Sequence, residues 1–282
     1  MRQPVLLALC LLGMAGLSGC QHGVSRAQAD KAVADAAVID QSNLTDIMLN
    51  VADPTEGVSY FRNALTVSPD NLDLKRGLAK SLSRAKLYIE ATTVMNEILT
   101  SPEATNDDRL ALVDVLIRSN EWEKAEVNLA QIPPTVETYE RYRLEALVAD
   151  SKQQWKKADS FYEIAAGLTG KPQGVYNNWG FSKLTRGDAA AAEKLFIQAL
   201  TYDPTMFTAK NNLVLARAAQ HNYTLPVIDM TQEERAQLLY TAGLAAVKQG
   251  DLAQGKQLLQ EAIDTSPTYF EAASRSLKAL EG

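Results

Sequence analysis

A small residue recurs along this chain with a period close to one fixed length: Gly57, Ala91, Ala125, Ala158 and Ala192 are separated by steps of 34, 34, 33 and 34. An apolar residue follows each of them four places on, as Phe61, Met95, Leu129, Tyr162 and Phe196. A spacing of four keeps both residues on one face of a helix. Rings recur just ahead of the small residue at Tyr88, Trp122 and Trp155, and Pro69, Pro102, Pro133, Pro172 and Pro204 recur behind it. Proline has no amide donor and restricts the residue before it, so each of these prolines is expected to end a helix. One such unit cannot bury its apolar face alone, and stacking of neighbours makes the core. The period therefore predicts an all-α array of helical hairpins, with units starting near 38, 72, 106, 139 and 173. Small side chains would let the two helices of a hairpin approach closely, and the large ones would fill the space against the next hairpin.

Residues 173–206 carry the pattern in full, with Gly180, Ala192, Phe196, Ala199 and Pro204 at positions 8, 20, 24, 27 and 32, behind Trp179. This unit resembles the tetratricopeptide repeat (TPR). The resemblance implies a TPR solenoid, a right-handed superhelix of antiparallel helix pairs, and a role in binding other proteins. Five such repeats are expected over 38–206, and then the rhythm breaks. A first helix is readable from Phe207 to Gln220, but no second helix follows it. Over 207–235 the repeat is incomplete, and 222–230, with Pro226 and the β-branched Val227 and Ile228, reads as an extended insertion. Two roles stay open for it: a loop offered to a partner, or a cover over Leu213 and Leu215. Thr231 followed by Glu234 predicts a capping box. A final repeat then resumes with Gly243, Gly255, Leu259, Ala262 and Pro267, and 236–282 closes the array with a capping helix over Thr268–Leu280.

In TPR proteins, positions 2, 5, 9, 12 and 13 of each first helix line a concave groove. Carried onto the matching positions, the resemblance implies a groove holding Arg76, Lys80, Arg84, Leu110, Asp114 and Arg118 toward one end. Arg143, Leu147, Asn177, Phe181 and Leu184 follow, with Asn211, Tyr240, Leu244 and Lys248 beyond. Basic side chains at one end suit an acidic or carboxylate-ended partner, and Asn177 and Asn211 can hydrogen-bond an extended peptide backbone. A plainer reading stands beside this one, in which Lys75, Arg76, Lys80, Arg84 and Lys86 are solvated charges on an acidic chain.

The start of the chain carries a second motif. Arg2 precedes an apolar run from Val5 to Ala15, and Leu17-Ser18-Gly19-Cys20 follows. The run is too short to span a membrane as a mature helix. The four residues resemble the lipobox of bacterial lipoproteins, which implies a signal peptide over 1–19 and acyl chains, palmitate among them, on Cys20. Three hydrocarbon chains exceed the two signals needed for stable anchoring. Residues 20–37 would be the lipidated cysteine and a tether. Gln21 stands where an Asp would favour inner-membrane retention, so the resemblance points to the periplasmic face of the outer membrane of a Gram-negative bacterium. The order of lipobox, tether and repeats is most similar to the TPR lipoproteins of tight-adherence (Tad/Flp) pilus systems, with pilotin-like lipoproteins next. That implies an adaptor that helps assemble or localise a secretin. A scaffold docking cell-wall enzymes or proteases is the alternative, and an anchored enzyme a third class.

Loss of Arg2 with the signal leaves 27 basic side chains against 34 acidic, a formal charge of −7. Nucleic acid is excluded as a partner on that balance, since phosphate contacts need clustered Lys and Arg. Cys10 leaves with the signal and Cys20 takes lipid, so no thiol remains for catalysis. The histidines are His22 and His221, with no Gly-x-Ser-x-Gly elbow, Cys/His metal spacing or phosphate-cradling glycine loop. Hence no enzyme activity, catalytic residue, metal or cofactor is expected.

Overall fold

The computed structural model describes residues 44–281, and every regular element among them is helical. The signal peptide, Cys20 and the tether lie outside the described residues. The chain divides into two compact units, 1–53 and 54–282. Of the first, a helical stretch over 44–50 is described, closed by the Val51 amide on the Ile47 carbonyl at 2.9 Å.

The second unit begins with α1 (Pro54–Val67) and continues through the pairs α2 (Leu72–Arg84) and α3 (Tyr88–Leu99), α4 (Asn106–Arg118) and α5 (Trp122–Leu129). The pairs α6 (Tyr139–Ser151) and α7 (Trp155–Gly167), then α8 (Gln173–Thr185) and α9 (Ala189–Tyr202), follow. Helix α10 (Phe207–Ala218) stands without a second helix, and α11 (Gln232–Lys248), α12 (Leu252–Thr265) and α13 (Glu271–Glu281) complete the array.

The small and large residues of the period make the core. Ala91, Ala125, Ala158 and Ala192 are fully buried, as are Phe61, Tyr162, Phe196 and Leu259. The large residue packs inside its own hairpin as well as against the next. A Cβ built on Gly180 would stand 2.7 Å from Phe196 Cε1, and one on Gly243 would stand 3.1 Å from Leu259 Cγ. Phe196 also belongs to the cluster of Ala209 and Leu213 on α10. The aromatic ring occupies space that only a glycine on the facing helix leaves free.

Each hairpin turns through the same backbone device. Lys86, Asn120, Gln153, Gly187, His221 and Gly250 all have positive φ, between 58° and 89°. After each, the next amide reaches back five residues: Leu87 to the Leu82 carbonyl, Glu121 to Leu116, Gln154 to Ala149, Asp188 to Lys183, Asn222 to Arg217 and Asp251 to Ala246, at 2.8–3.0 Å. This is the Schellman closure, which satisfies carbonyls the helix end would leave open. The starts of α2, α4 and α11 are capped by side chains: Asn71 accepts from the Asp73 and Leu74 amides, and Thr105 with Asp108 and Thr231 with Glu234 form reciprocal boxes. Pro172 departs from its expected role. Helix α7 ends at Gly167, and Pro172 instead opens α8, accepting the Tyr176 amide at 2.9 Å.

Helix α10 packs between α9 and α11, and the chain over 222–230 lies on the array without forming a strand. Tyr223, Leu225 and Met230 pack against the cluster of Leu238, Leu239 and Leu258, and Ile228 against that of Leu213. The Tyr223 hydroxyl donates to Gln249 at 2.7 Å, which fixes the segment to the α11–α12 turn. Val227 faces solvent completely.

Candidate partner-binding groove

The first helices of the hairpins, α2, α4, α6, α8, α10 and α11, are joined by polar side chains that reach from one to the next. The Arg76 guanidinium on α2 donates to both oxygens of Asp108 on α4, at 2.7 and 2.8 Å, and to Asp73 at 2.8 Å. Asp108 also accepts the Thr105 amide at 2.8 Å, so one buried carboxylate caps α4 and holds α2 against it. The Arg76 bonds keep the Asp108 carboxyl below the usual carboxylate range although burial opposes them. A planar guanidinium gripping a carboxylate with two parallel bonds is geometrically specific as well as strong.

The same row continues through Asp114, which accepts from Arg118 at 2.5 Å and from Arg143 of α6 at 2.7 Å, while Arg143 holds Glu140 at 2.6 Å. Burial pushes the Asp114 carboxyl up, but the two guanidiniums outweigh it and the net displacement is downward. Asn212 then donates to the Asn177 carbonyl at 3.0 Å, both residues being buried. Thr241 donates to Asn211 at 2.8 Å.

Two hollows open on this row. The first, about 670 Å³, has Ala79, Met95 and Val115 in its floor and Lys80, Arg84 and Arg118 among the charged residues around it. Asp107 and Glu140 also border it. The second, about 450 Å³, lies between α6 and α8 and is lined by Trp122, Leu147, Asp150, Trp155 and Phe181.

Of the groove residues expected from the sequence, Arg76, Lys80, Arg84 and Arg118 share the first hollow, and Asn177 and Phe181 the second. Arg143 lines neither, being held by Asp114 and Glu140. Asn211, Tyr240 and Lys248 also lie outside both hollows. The Tyr240 ring stands 5.2 Å from that of Phe270, and Lys248 is exposed at the end of α11. Several expectations change accordingly. Arg76 and Arg143 are held by carboxylates of the next or previous hairpin, and Arg118 by Asp114 on its own helix, so none of the three is simply a solvated charge. Asn177 and Asn211 each already accept one hydrogen bond on the side-chain carbonyl, from Asn212 and Thr241, which leaves each a second acceptor position. Leu110, expected on the groove, is 2 % exposed and belongs to the core. His221 has a conformational role as the left-handed residue after α10.

Asp108 and Asp150 were not singled out from the sequence. A usable signal existed: the bonded pairs Arg76 and Asp108, Asp150 and Ser182, and Asn177 and Asn212 lie 32, 32 and 35 residues apart, near one repeat length. Among the described residues no group of three or more His, Cys, Asp or Glu could hold a metal ion, and no helix is long and apolar enough to cross a membrane.

The tetratricopeptide repeat model matches residues 236–269, which span α12 and most of α11. No curated protein sequence matches the chain. Among solved structures, the human IFIT1 dimer is similar with a TM-score of 0.58 at 16 % identity, covering 80 % of this chain and 59 % of that one. A tetratricopeptide repeat protein from Parabacteroides merdae gives 0.54 at 13 % identity, covering 85 % and 97 %. The APC/C hetero-tetramer Cut9–Hcn1 gives 0.54 at 14 %, and there the chain, covered to 84 %, spans about half (48 %) of its counterpart. With the helical hairpins described above, these likenesses establish an all-α TPR fold.

Proposed function

We propose that this chain is a lipid-anchored adaptor on the periplasmic face of an outer membrane, and that its repeat groove holds a protein partner. The TPR fold is typically a non-catalytic scaffold for protein–protein interaction. The observation that carries the binding role is the hollow of about 670 Å³ between α2 and α4, with an apolar floor among charged residues. Such a lining suits a polypeptide segment that buries apolar side chains and sets polar groups against the mixed charges of Lys80, Arg84, Arg118, Asp107 and Glu140. The anchor rests on Leu17-Ser18-Gly19-Cys20 behind its apolar run, and the outer-membrane address on Gln21. Within this class the resemblance to Tad/Flp pilus lipoproteins favours a secretin subunit as the partner, which the adaptor would bring to the outer membrane.

Affinity capture from detergent-solubilised membranes tests the reading. Recovery of a secretin with the wild-type chain, and its loss when Arg84 and Arg118 are both changed to Glu, is the expected result. Capture of a cell-wall hydrolase or protease instead would replace the pilus assignment with the docking-scaffold role. Membrane fractionation tests the anchor separately. Cys20→Ser should release the folded chain from membranes, and continued sedimentation with them would refute lipid attachment.

A further inference from the structure

Asp150 lies near the end of α6, in the second hollow of the groove. Its carboxylate accepts hydrogen bonds from the Ser182 hydroxyl at 2.7 Å and the Tyr162 hydroxyl at 2.8 Å, both neutral donors. Among the described residues no Lys or Arg forms an ion pair with it. Arg186 and Lys183, on the same stretch of chain as Ser182, are engaged by Asp159 instead. Burial outweighs the two hydroxyl bonds and the more distant charge of Arg186, and raises the Asp150 carboxyl above its ordinary range. A carboxylate has about four acceptor positions, so two donors leave room for a third group.

The walls around it are aromatic and aliphatic. Trp122 is oriented by its indole N–H on Asn120 at 2.6 Å, and Trp155 by the Arg186 guanidinium 5.5 Å from its ring centroid. Phe181 is 52 % exposed, a large ring left at the mouth of the hollow. A half-buried carboxylate with two neutral donors and no direct ion-pair contact, set among ring faces, is complementary in charge and shape to a positive charge on an aliphatic stem.

We infer that the hollow between α6 and α8 receives a lysine or arginine side chain of the bound partner, its stem against Trp122, Trp155 and Phe181 and its charged head on Asp150. This deepens the adaptor reading and rests on it. The partner segment would then place a cation at α8, one fixed point for its register along the groove.

The pocket can be tested without the partner. N-acetyl-arginine amide, N-acetyl-lysine amide, and N-acetyl-norleucine amide as the neutral control would be titrated into the purified full-length chain, observing the Trp indole signals by NMR. The cationic probes should shift the Trp122 and Trp155 signals and bind about tenfold or more tightly than norleucine. Asp150→Asn, with its circular dichroism spectrum unchanged, should reduce them to the neutral control. Phe181→Ala, at an exposed position, should weaken all three. Equal binding by Asp150→Asn, or equal binding of norleucine and arginine, would overturn the inference. Partner capture by Asp150→Asn at the wild-type level would also overturn it while leaving the adaptor role intact. Capture of no partner by the wild-type chain would remove the adaptor role, and the probe titration would still report on the pocket.

Discussion

Replacing each of three glycines in the α8–α9 hairpin by alanine should have three different outcomes. Gly174, in the first turn of α8, has nothing within 4 Å of the position its Cβ would take. There alanine should stabilise the fold by about 0.5–1 kcal/mol, through helix propensity and the smaller entropy of the unfolded chain. At Gly180 the new methyl would stand 2.7 Å from Cε1 and 2.8 Å from Cδ1 of Phe196. That ring is 0 % exposed and enclosed by Ala192, Ala209 and Leu213, so it has no space to retreat into. Overpacking of about 1–3 kcal/mol, reduced by a propensity gain of about 1, leaves a net loss of about 0–2 kcal/mol, against the gain expected at Gly174. At Gly187 the added methyl meets nothing, but φ is 86°, and the left-handed backbone alone should cost about 1–2 kcal/mol. Urea unfolding followed by circular dichroism measures all three, with 1 kcal/mol moving the melting temperature by about 2–4 °C in a chain of this size. Phe196→Leu separates packing from other causes. In the Gly180→Ala background it should cost less than in the wild type, with a coupling of at least about 0.5 kcal/mol. A Gly180→Ala variant as stable as Gly174→Ala, or additive costs in the double variant, would refute the seating of Phe196 against α8.

Asp108→Ala removes both the Arg76 grip and the Thr105 cap, and should cost about 2–4 kcal/mol in the same unfolding assay. The folded state holds the Asp108 and Asp114 carboxyls below their ordinary range, so their contribution is present above that range and is lost as pH falls through the depressed values. The stability gap between wild type and Asp108→Ala should therefore narrow on acidification, and a gap constant with pH would refute the pairing. Asp150 has the opposite sign: its carboxyl is raised, so Asp150→Asn should be at least as stable as wild type at neutral pH and lose that advantage toward acid, as unfolding curves at two pH values would report. Ala192→Leu, at a fully buried position, should cost about 1–3 kcal/mol by melting, and an unchanged curve would contradict the packing of α9 against α8.

The fold was legible because its determinants are periodic in the covalent chain. The small residues from Gly57 to Ala192 repeat at nearly constant steps, and any stacked array brings such positions to equivalent places. The polar row was less legible, because its bonds join residues of different type, Arg76 to Asp108 or Ser182 to Asp150, that no motif marks. A cation on a helix face reads the same in sequence whether it is solvated or held by a carboxylate one repeat later. The turn device was hidden for a related reason. Lys86, Asn120, Gln153 and His221 occupy left-handed positions that glycine takes at 187 and 250, and only the shared backbone closure shows their equivalence.

The unpaired α10 divides the array's cooperativity. In a stack where each hairpin is stabilised mainly by its immediate neighbours, omission of one helix deletes one interface and thins the coupling at that junction. The α11–α13 block can then open on its own while α2–α9 stay folded, so its amides should exchange with solvent at a lower free energy than those of the preceding hairpins. Denaturation should accordingly run in two steps, with the boundary between them at the segment fastened by Tyr223, and a single transition seen alike by every probe would refute this.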